Sequence, residues 1–116
     1  MNTDNDAPRP TGKPLVPLVL TGSLIPWNGD DGPVLLYMPG TTDFFLPVFS
    51  TEEKLRSTLT QAGVAFECVK HIDDGLEFLA SVPRVMDDQR RVRIAVDLWY
   101  TPEGRVRFHE VQRESP

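Results

Sequence analysis

The C-terminal part of the chain constrains the fold most, because residues 91–101 alternate strictly between two faces and a hairpin loop follows them. Side chains two positions apart share one face of a strand, so this pattern indicates a strand with one buried face. The inward set is Val92, Ile94, Val96, Leu98 and Tyr100, and the outward set is Arg91, Arg93, Asp97 and Trp99. Pro102-Glu103-Gly104 is typical of a three-residue hairpin loop, in which glycine supplies a positive φ. Residues 105–112 are therefore predicted to return as a second strand, with Val106 and Phe108 inward.

The middle of the chain predicts further strands and two helices. Residues 33–38 and 44–49 are β-branched and aromatic and indicate two strands joined by a turn at 39–43. Pro47 has no N–H, so it favours an edge position or a bulge. Ser50, with Glu53 three residues on, forms a capping-box pattern for a first helix that ends at Gly63. Its buried stripe is predicted to be Leu55, Leu59 and Ala62.

Residues 64–72 alternate and predict a third strand, and Asp73 is expected to cap a second helix. The buried residues of that helix are predicted to be Leu76, Leu79 and Ala80. The order ββαβαββ predicts one α+β domain, with a mixed sheet of about five strands and two helices on one face. We expect residues 1–14 to be a disordered tail, residues 15–20 to be extended and residues 23–32 to be a loop. The domain is then residues 15–113.

Net charge and cysteine content exclude several classes of function. A net charge of -5 argues against a general nucleic-acid binder and against attraction to an anionic membrane. Cys68 is the single cysteine, which excludes an internal disulfide and a cysteine-based zinc site. The start of the sequence is acidic, unlike a signal peptide, and the apolar run at 15–20 is too short to span a bilayer. We therefore predict a cytoplasmic protein.

The polar face of the hairpin carries the main candidate site. The three-residue loop places Trp99 opposite Arg107 and Asp97 opposite His109, with Arg93 and Arg105 nearby. Tryptophan and arginine are enriched where the binding energy of protein interfaces concentrates. This face is a candidate partner-binding surface, and two alternatives stay open. It could be an ordinary solvated face, or the arm at residues 15–25 could cover Trp99.

Trp27, in the predicted loop, is a possible second contact, either for a partner or as a plug over the edge of the core. His71 falls on the opposite face of the predicted strand from Cys68 and so cannot activate its thiol. We therefore interpret Cys68 as a small residue within or beside the core. Asp73-Asp74 and Asp87-Asp88 are interpreted as a helix start and a solvated loop. No catalytic residue, metal site or cofactor is predicted.

The segment Leu46-Pro-Val-Phe-Ser-Thr-Glu-Glu-Lys-Leu55 resembles the SseB N-terminal-like domain family, and residues 34–39 are similar to the strand that precedes it there. The likeness covers about residues 34–80. It implies a non-enzymatic module and names no ligand or functional residue.

We therefore predict a binding or adaptor module that recognises another protein through the Trp99 and Arg107 face. One alternative is a small hydrolase or small-ligand-binding protein that uses Asp97, His109 and an arginine anion clamp. Local nucleic-acid binding by the arginines is a further alternative, and pairing of an edge strand between two copies of the chain stays open.

Overall fold

The computed structural model describes residues 9–37 and 41–112, in which β-strands and two α-helices give an α+β fold. The strands are β1 (Arg9–Pro10), β2 (Leu24–Asn28), β3 (Gly32–Pro33), β4 (Leu36–Tyr37), β5 (Phe44–Val48), β6 (Cys68–His71), β7 (Val92–Tyr100) and β8 (Val106–Glu110). The α-helices are α1 (Glu52–Ala62) and α2 (Gly75–Ser81), and 3-10 turns cover Pro17–Leu20 and Gly29–Asp31. The predictions for residues 1–8, for 38–40 in the predicted strand and turn, and for 113–116 lie outside the described residues. Neither α-helix in the described ranges is long and apolar enough to cross a membrane.

The strands form two sheets, whereas the sequence predicts one. Four strands in the order β8-β7-β5-β4 make the larger sheet, and the two-residue β1 pairs in parallel with β8 at its edge. The smaller sheet has the order β3-β2-β6. The predicted loop at 23–32 is wrong because Leu24, Ile25 and Pro26 are buried and form a strand, and the glycine turns only end it.

The larger sheet is covered on both faces. Alternate residues of β7 belong to two buried clusters, Ala95 and Leu98 to one and Val92, Ile94 and Val96 to the other. Leu55 and Leu59 of α1 pack in the first cluster, and Phe78 and Leu79 of α2 pack against the second. The helices therefore contact opposite faces, and the prediction of both helices on one face is wrong.

The N-cap of each helix lies one residue later in the chain than predicted. The side chain of Thr51, not Ser50, accepts from the Lys54 N–H at the start of α1, and Gly63 ends that helix in the left-handed conformation as predicted. Asp74, not Asp73, caps α2 by accepting from the N–H groups of residues 76 and 77.

The buried side of α2 also differs from the prediction. Leu76 is 55% exposed and Ala80 is exposed, whereas Gly75 is buried and Phe78 and Leu79 are half-buried. The reason is the 3-10 turn at Pro17–Leu20, which replaces the predicted extended segment and packs against the start of α2. A Cβ at Gly75 would lie 2.5 Å from the carbonyl oxygen of Pro17. The side of α2 that carries Gly75 therefore packs against the 3-10 turn.

Two further predictions concern strand edges. The prediction of an edge position or a bulge at Pro47 is wrong, because β5 lies between β7 and β4 and Pro47 pairs with Ala95 of β7 in regular register. The ladder between β4 and β5 ends at Phe45, so Pro47 is tolerated where β4 requires no N–H from it. Residues 9–14, which the sequence assigns to the tail, run beside β8, where the Thr11 N–H donates to the carbonyl of Phe108 over 2.7 Å.

Candidate functional site

The hairpin of β7 and β8 contains a β-bulge that divides the predicted polar face. Trp99 pairs with Arg107 as predicted, but His109 pairs with Val96 and not with Asp97. Two residues of β7, Asp97 and Leu98, therefore stand where β8 supplies only Phe108, which is the pattern of a bulge. Asp97 has a φ of 52°, a left-handed conformation that aspartate tolerates better than most residues. The predicted facing of Asp97 and His109 is wrong.

The carboxylate of Asp97 is held by the start of α1. It accepts from the N–H and the hydroxyl of Ser50, each over 2.8 Å, and from the ammonium of Lys54 over 3.4 Å. With its oxygens used in this way, Asp97 serves to join β7 to α1. That position favours a structural role over general-base chemistry.

Arg93 lies on the face opposite Trp99. Its guanidinium stacks on the rings of Phe45 and Phe108, and it donates to Glu110 over 2.7 and 3.0 Å and to Asp43 over 3.4 Å. The hydrogen bond to Glu110 raises the pKa of Arg93. Burial of the guanidinium acts in the opposite direction, but the negative charges of Glu110 and Asp43 outweigh it, so the pKa lies above its ordinary value. Arg93 is therefore a half-buried anchor of the sheet and does not extend the Trp99 face.

What remains of the predicted surface is Trp99, Arg107 and His109, hereafter the Trp99 surface. Trp99 is 39% exposed and its ring centroid lies 5.8 Å from that of His109. His109 Nδ1 lies 3.3 Å from both the hydroxyl and the carbonyl oxygen of Thr11. Arg107 and Arg105 are half-buried, and one guanidinium nitrogen of Arg107 donates to the carbonyl of Val106. Among the described residues no segment buries Trp99, so the alternative of a covering arm does not hold.

A depression of about 290 Å³ borders this surface, and Lys54, Thr58, Asp97, Leu98, Trp99 and His109 line it. It is small for a substrate pocket, since such pockets usually measure about 300–1,000 Å³. No group of three or more histidine, cysteine, aspartate or glutamate side chains suited to a metal ion occurs in the described residues. Asp97, which the hydrolase alternative needs as a base, is thus engaged by Ser50 and Lys54 at this depression.

Trp27, the other candidate residue, lines an apolar cleft that is larger than the depression beside Trp99. It encloses about 550 Å³ between the smaller sheet, α2 and one face of the larger sheet, and we call it the Trp27 cleft. Its apolar lining consists of Ile25, Trp27, Pro33, Leu35, Leu46, Ile72, Phe78, Val82, Pro83, Met86 and Val92, and its polar lining of Lys70, His71, Asp73, Asp74, Glu77 and Ser81.

Trp27 is fixed as a wall of this cleft. Within the smaller sheet it pairs with Pro33 on one side and Cys68 on the other, and its indole N–H donates to the carbonyl of Gly29 over 3.0 Å. The ammonium of Lys70 lies 4.2 Å from the centre of the indole ring. Trp27 is half-buried, so part of the indole faces the cleft.

The remaining polar groups surround the mouth of the cleft. Asp74 is engaged as the cap of α2, whereas within the described ranges no hydrogen bond or ion pair engages the carboxylates of Asp73 and Glu77, both of which are exposed. Three carboxylates against one lysine give the mouth a negative charge.

A second cleft, of about 580 Å³, lies between residues 10–14 and the arginines at 84, 91 and 93. Two of these three arginines are paired: Arg91 with Asp43, and Arg93 with Asp43 and Glu110. This cleft therefore offers an incoming anion fewer unneutralised positive charges than its composition implies.

Cys68 is exposed, so its predicted place within or beside the core is wrong, and it lies on the edge strand of the smaller sheet.

The sequence draws attention to Trp27 but not to the residues that complete its cleft. Lys70 and Phe78 come from segments 40 or more positions away: the pairing of β2 with β6 brings Lys70 to Trp27, and the packing of α2 against the core brings Phe78. The chain gives no match to any family model, curated protein or solved structure with which it was compared.

Proposed function

We propose that this protein is a binding module and that the Trp27 cleft is its ligand site. The observation that carries the proposal is the cleft itself: about 550 Å³, with an apolar interior and a few charged groups at its mouth. Sites for small ligands are concave, mostly apolar and of about this size, with polar groups that orient the ligand. The cytoplasmic location and the likeness to the SseB N-terminal-like family stay predictions.

The walls of the cleft support binding without a large rearrangement. Ile25, Leu46, Ile72 and Val92 are each 3% exposed or less, so the floor is part of the packed core. An aromatic or aliphatic group that filled the cleft would gain about 1.5–3 kcal/mol from its own burial. Because the wall residues are already ordered by the two sheets, little conformational entropy is lost on binding.

Obstruction of the mouth tests this proposal. Ser81 is an exposed residue at the rim, and Ser81→Phe is expected to place a ring across the opening. Ser57→Phe, on the exposed side of α1 and away from the cleft, is the matched control. A set of small aromatic and aliphatic fragments is screened by ligand-observed NMR against all three proteins. Fragments that bind wild type and the control but not Ser81→Phe support the proposal, and equal binding to all three contradicts it.

A second candidate function is recognition of a partner protein by the Trp99 surface, favoured by the 39% exposure of Trp99 beside Arg107. Tryptophan and arginine are among the residues enriched where the binding energy of protein interfaces concentrates. The test compares wild type with a Trp99→Ala/Arg107→Ala variant as bait in native lysate, with Arg56→Ala as a control for loss of an exposed arginine. A protein retained by wild type and the control, and lost by the folded double variant, supports this function. Identical captures by all three baits argue against it.

A further inference from the structure

We infer that the ligand of the Trp27 cleft is a small organic cation, with an apolar body inside the cleft and a protonated amine at the mouth. This inference rests on the proposed function, because it assigns a ligand chemistry to the same site. Two independent features of the cleft support it.

The first feature is the charge of the mouth. The side chains of Asp73 and Glu77 border the cleft, and within the described part of the chain neither has an ionic or hydrogen-bonded partner. An ammonium group there would find acceptors that the fold does not already use. A ligand carboxylate would meet repulsion from the same two groups, because like charges raise the free energy of the complex.

The second feature is the position of Lys70. Its ammonium lies 4.2 Å from the centre of the Trp27 ring, within the range of a cation–π contact. This wall of the cleft therefore already stabilises a cation, which belongs to the chain itself. Lys70 is exposed, so a ligand amine can displace it from the indole at little cost to packing.

These two features predict opposite effects for two kinds of variant. Neutralising Asp73 and Glu77 removes the attraction to an amine and weakens its binding. Replacing Lys70 with glutamine removes a competing cation and strengthens binding of the amine. For an anionic ligand both effects on affinity reverse. Neutralising Asp73 and Glu77 would then strengthen binding, and replacing Lys70 would weaken it, because Lys70 would be the group that attracts the ligand.

The Trp99→Phe variant provides the reporter for the experiment. The sequence has two tryptophans, so this variant leaves Trp27, on the wall of the cleft, as the sole indole fluorophore. In this background the fluorescence is titrated with phenylpropylamine, phenylpropanol and phenylpropionate, which share one apolar body and differ in charge. Asp73→Asn/Glu77→Gln and Lys70→Gln are compared with Glu53→Gln/Glu103→Gln, which removes the same number of charges at exposed positions away from the cleft.

We expect phenylpropylamine to bind most tightly, and Asp73→Asn/Glu77→Gln to weaken it by about threefold to tenfold, as suits two partly exposed ion pairs. The control double variant is expected to change its affinity by less than about twofold, and Lys70→Gln to increase it. Equal affinity for the three probes, or tighter binding of phenylpropionate, would overturn the inference and leave the proposed function standing. Absence of binding for all three probes, together with a negative fragment screen, would overturn both.

Discussion

Asp97 and Ser50 are joined by two hydrogen bonds, because one carboxylate accepts both the N–H and the hydroxyl of Ser50 at 2.8 Å. This contact links the bulge of β7 to the residue before the cap of α1. Asp97 is held at a φ of 52° at the same point. The bulge, the start of the helix and the position of Trp99 therefore depend on one side chain.

The first prediction is that Asp97→Ala lowers the free energy of unfolding by about 1–3 kcal/mol. The substitution removes the acceptors of Ser50 and leaves a residue less tolerant of the left-handed conformation. Asp97→Asn keeps an acceptor and tolerates that conformation, so it is expected to lose less. Urea unfolding followed by circular dichroism measures the difference. Equal stability of wild type and the alanine variant would show that the bulge persists without this contact.

The hairpin shows how far the sequence predicts the structure. Period-two alternation and the Pro102-Glu103-Gly104 loop correctly place Trp99 opposite Arg107. Beyond Trp99 the prediction is wrong, because one extra residue in β7 moves every more distant pairing by one position. At the bulge Asp97 contacts Ser50, which lies 47 residues away in the chain, so this contact leaves no local pattern from which the bulge could be predicted.

The second prediction concerns Gly75, where α2 meets the 3-10 turn. A Cβ at this position would lie 2.5 Å from the Pro17 carbonyl oxygen and 3.0 Å from the Thr21 nitrogen, both of which are backbone atoms that cannot easily move. Gly75→Ala is therefore expected to destabilise the protein by about 1–3 kcal/mol despite the higher helix propensity of alanine. Ser57→Ala, on the exposed face of α1, is the control for propensity alone. Thermal unfolding compares them, and a stabilised Gly75→Ala would contradict the close approach.

The third prediction separates two neighbouring arginines. The side chain of Arg93 is 18% exposed and pairs with Glu110 and Asp43, whereas that of Arg91 is 69% exposed and pairs, among the residues that the structure describes, with Asp43 alone. Arg93→Ala is expected to lower the free energy of unfolding by about 2–3 kcal/mol, because Glu110 and part of Asp43 lose a charged donor. Arg91→Ala is expected to cost less than about 1 kcal/mol, as for an exposed pair. Chemical denaturation tests this order, and similar losses would contradict it.

The Trp27 cleft marks the limit of prediction from the sequence for the candidate site. An apolar tryptophan next to Asn28-Gly29 is typical of a loop, and the strand it belongs to becomes clear only when β6 pairs with it. The predicted buried residue Leu76 points outward because the close contact at Gly75 rotates α2, and Phe78 then faces the cleft. Local pattern identifies the elements here, but the packing of distant segments decides which side chains meet.

The last prediction is a pH dependence that comes from Tyr100. Tyr100 packs against the cluster that contains Leu98 and Phe108, and this burial raises the pKa of its phenol above the ordinary value of about 10. Since the folded state holds the proton more tightly than the unfolded state, the contribution of Tyr100 to stability is fully present below the unfolded pKa. It is lost as the pH rises through the raised pKa of the folded protein.

The chain has two tyrosines, so Tyr37→Phe leaves Tyr100 as the only phenol, and Tyr37→Phe/Tyr100→Phe is its control. We expect the tyrosinate absorbance of the single-tyrosine protein to appear at a higher pH in the folded than in the urea-unfolded state. Its free energy of unfolding should also fall more steeply above pH 10 than that of the control, in which lysine titration is the same. Identical titration of Tyr100 in the two states would mean that the phenol is not buried against this cluster.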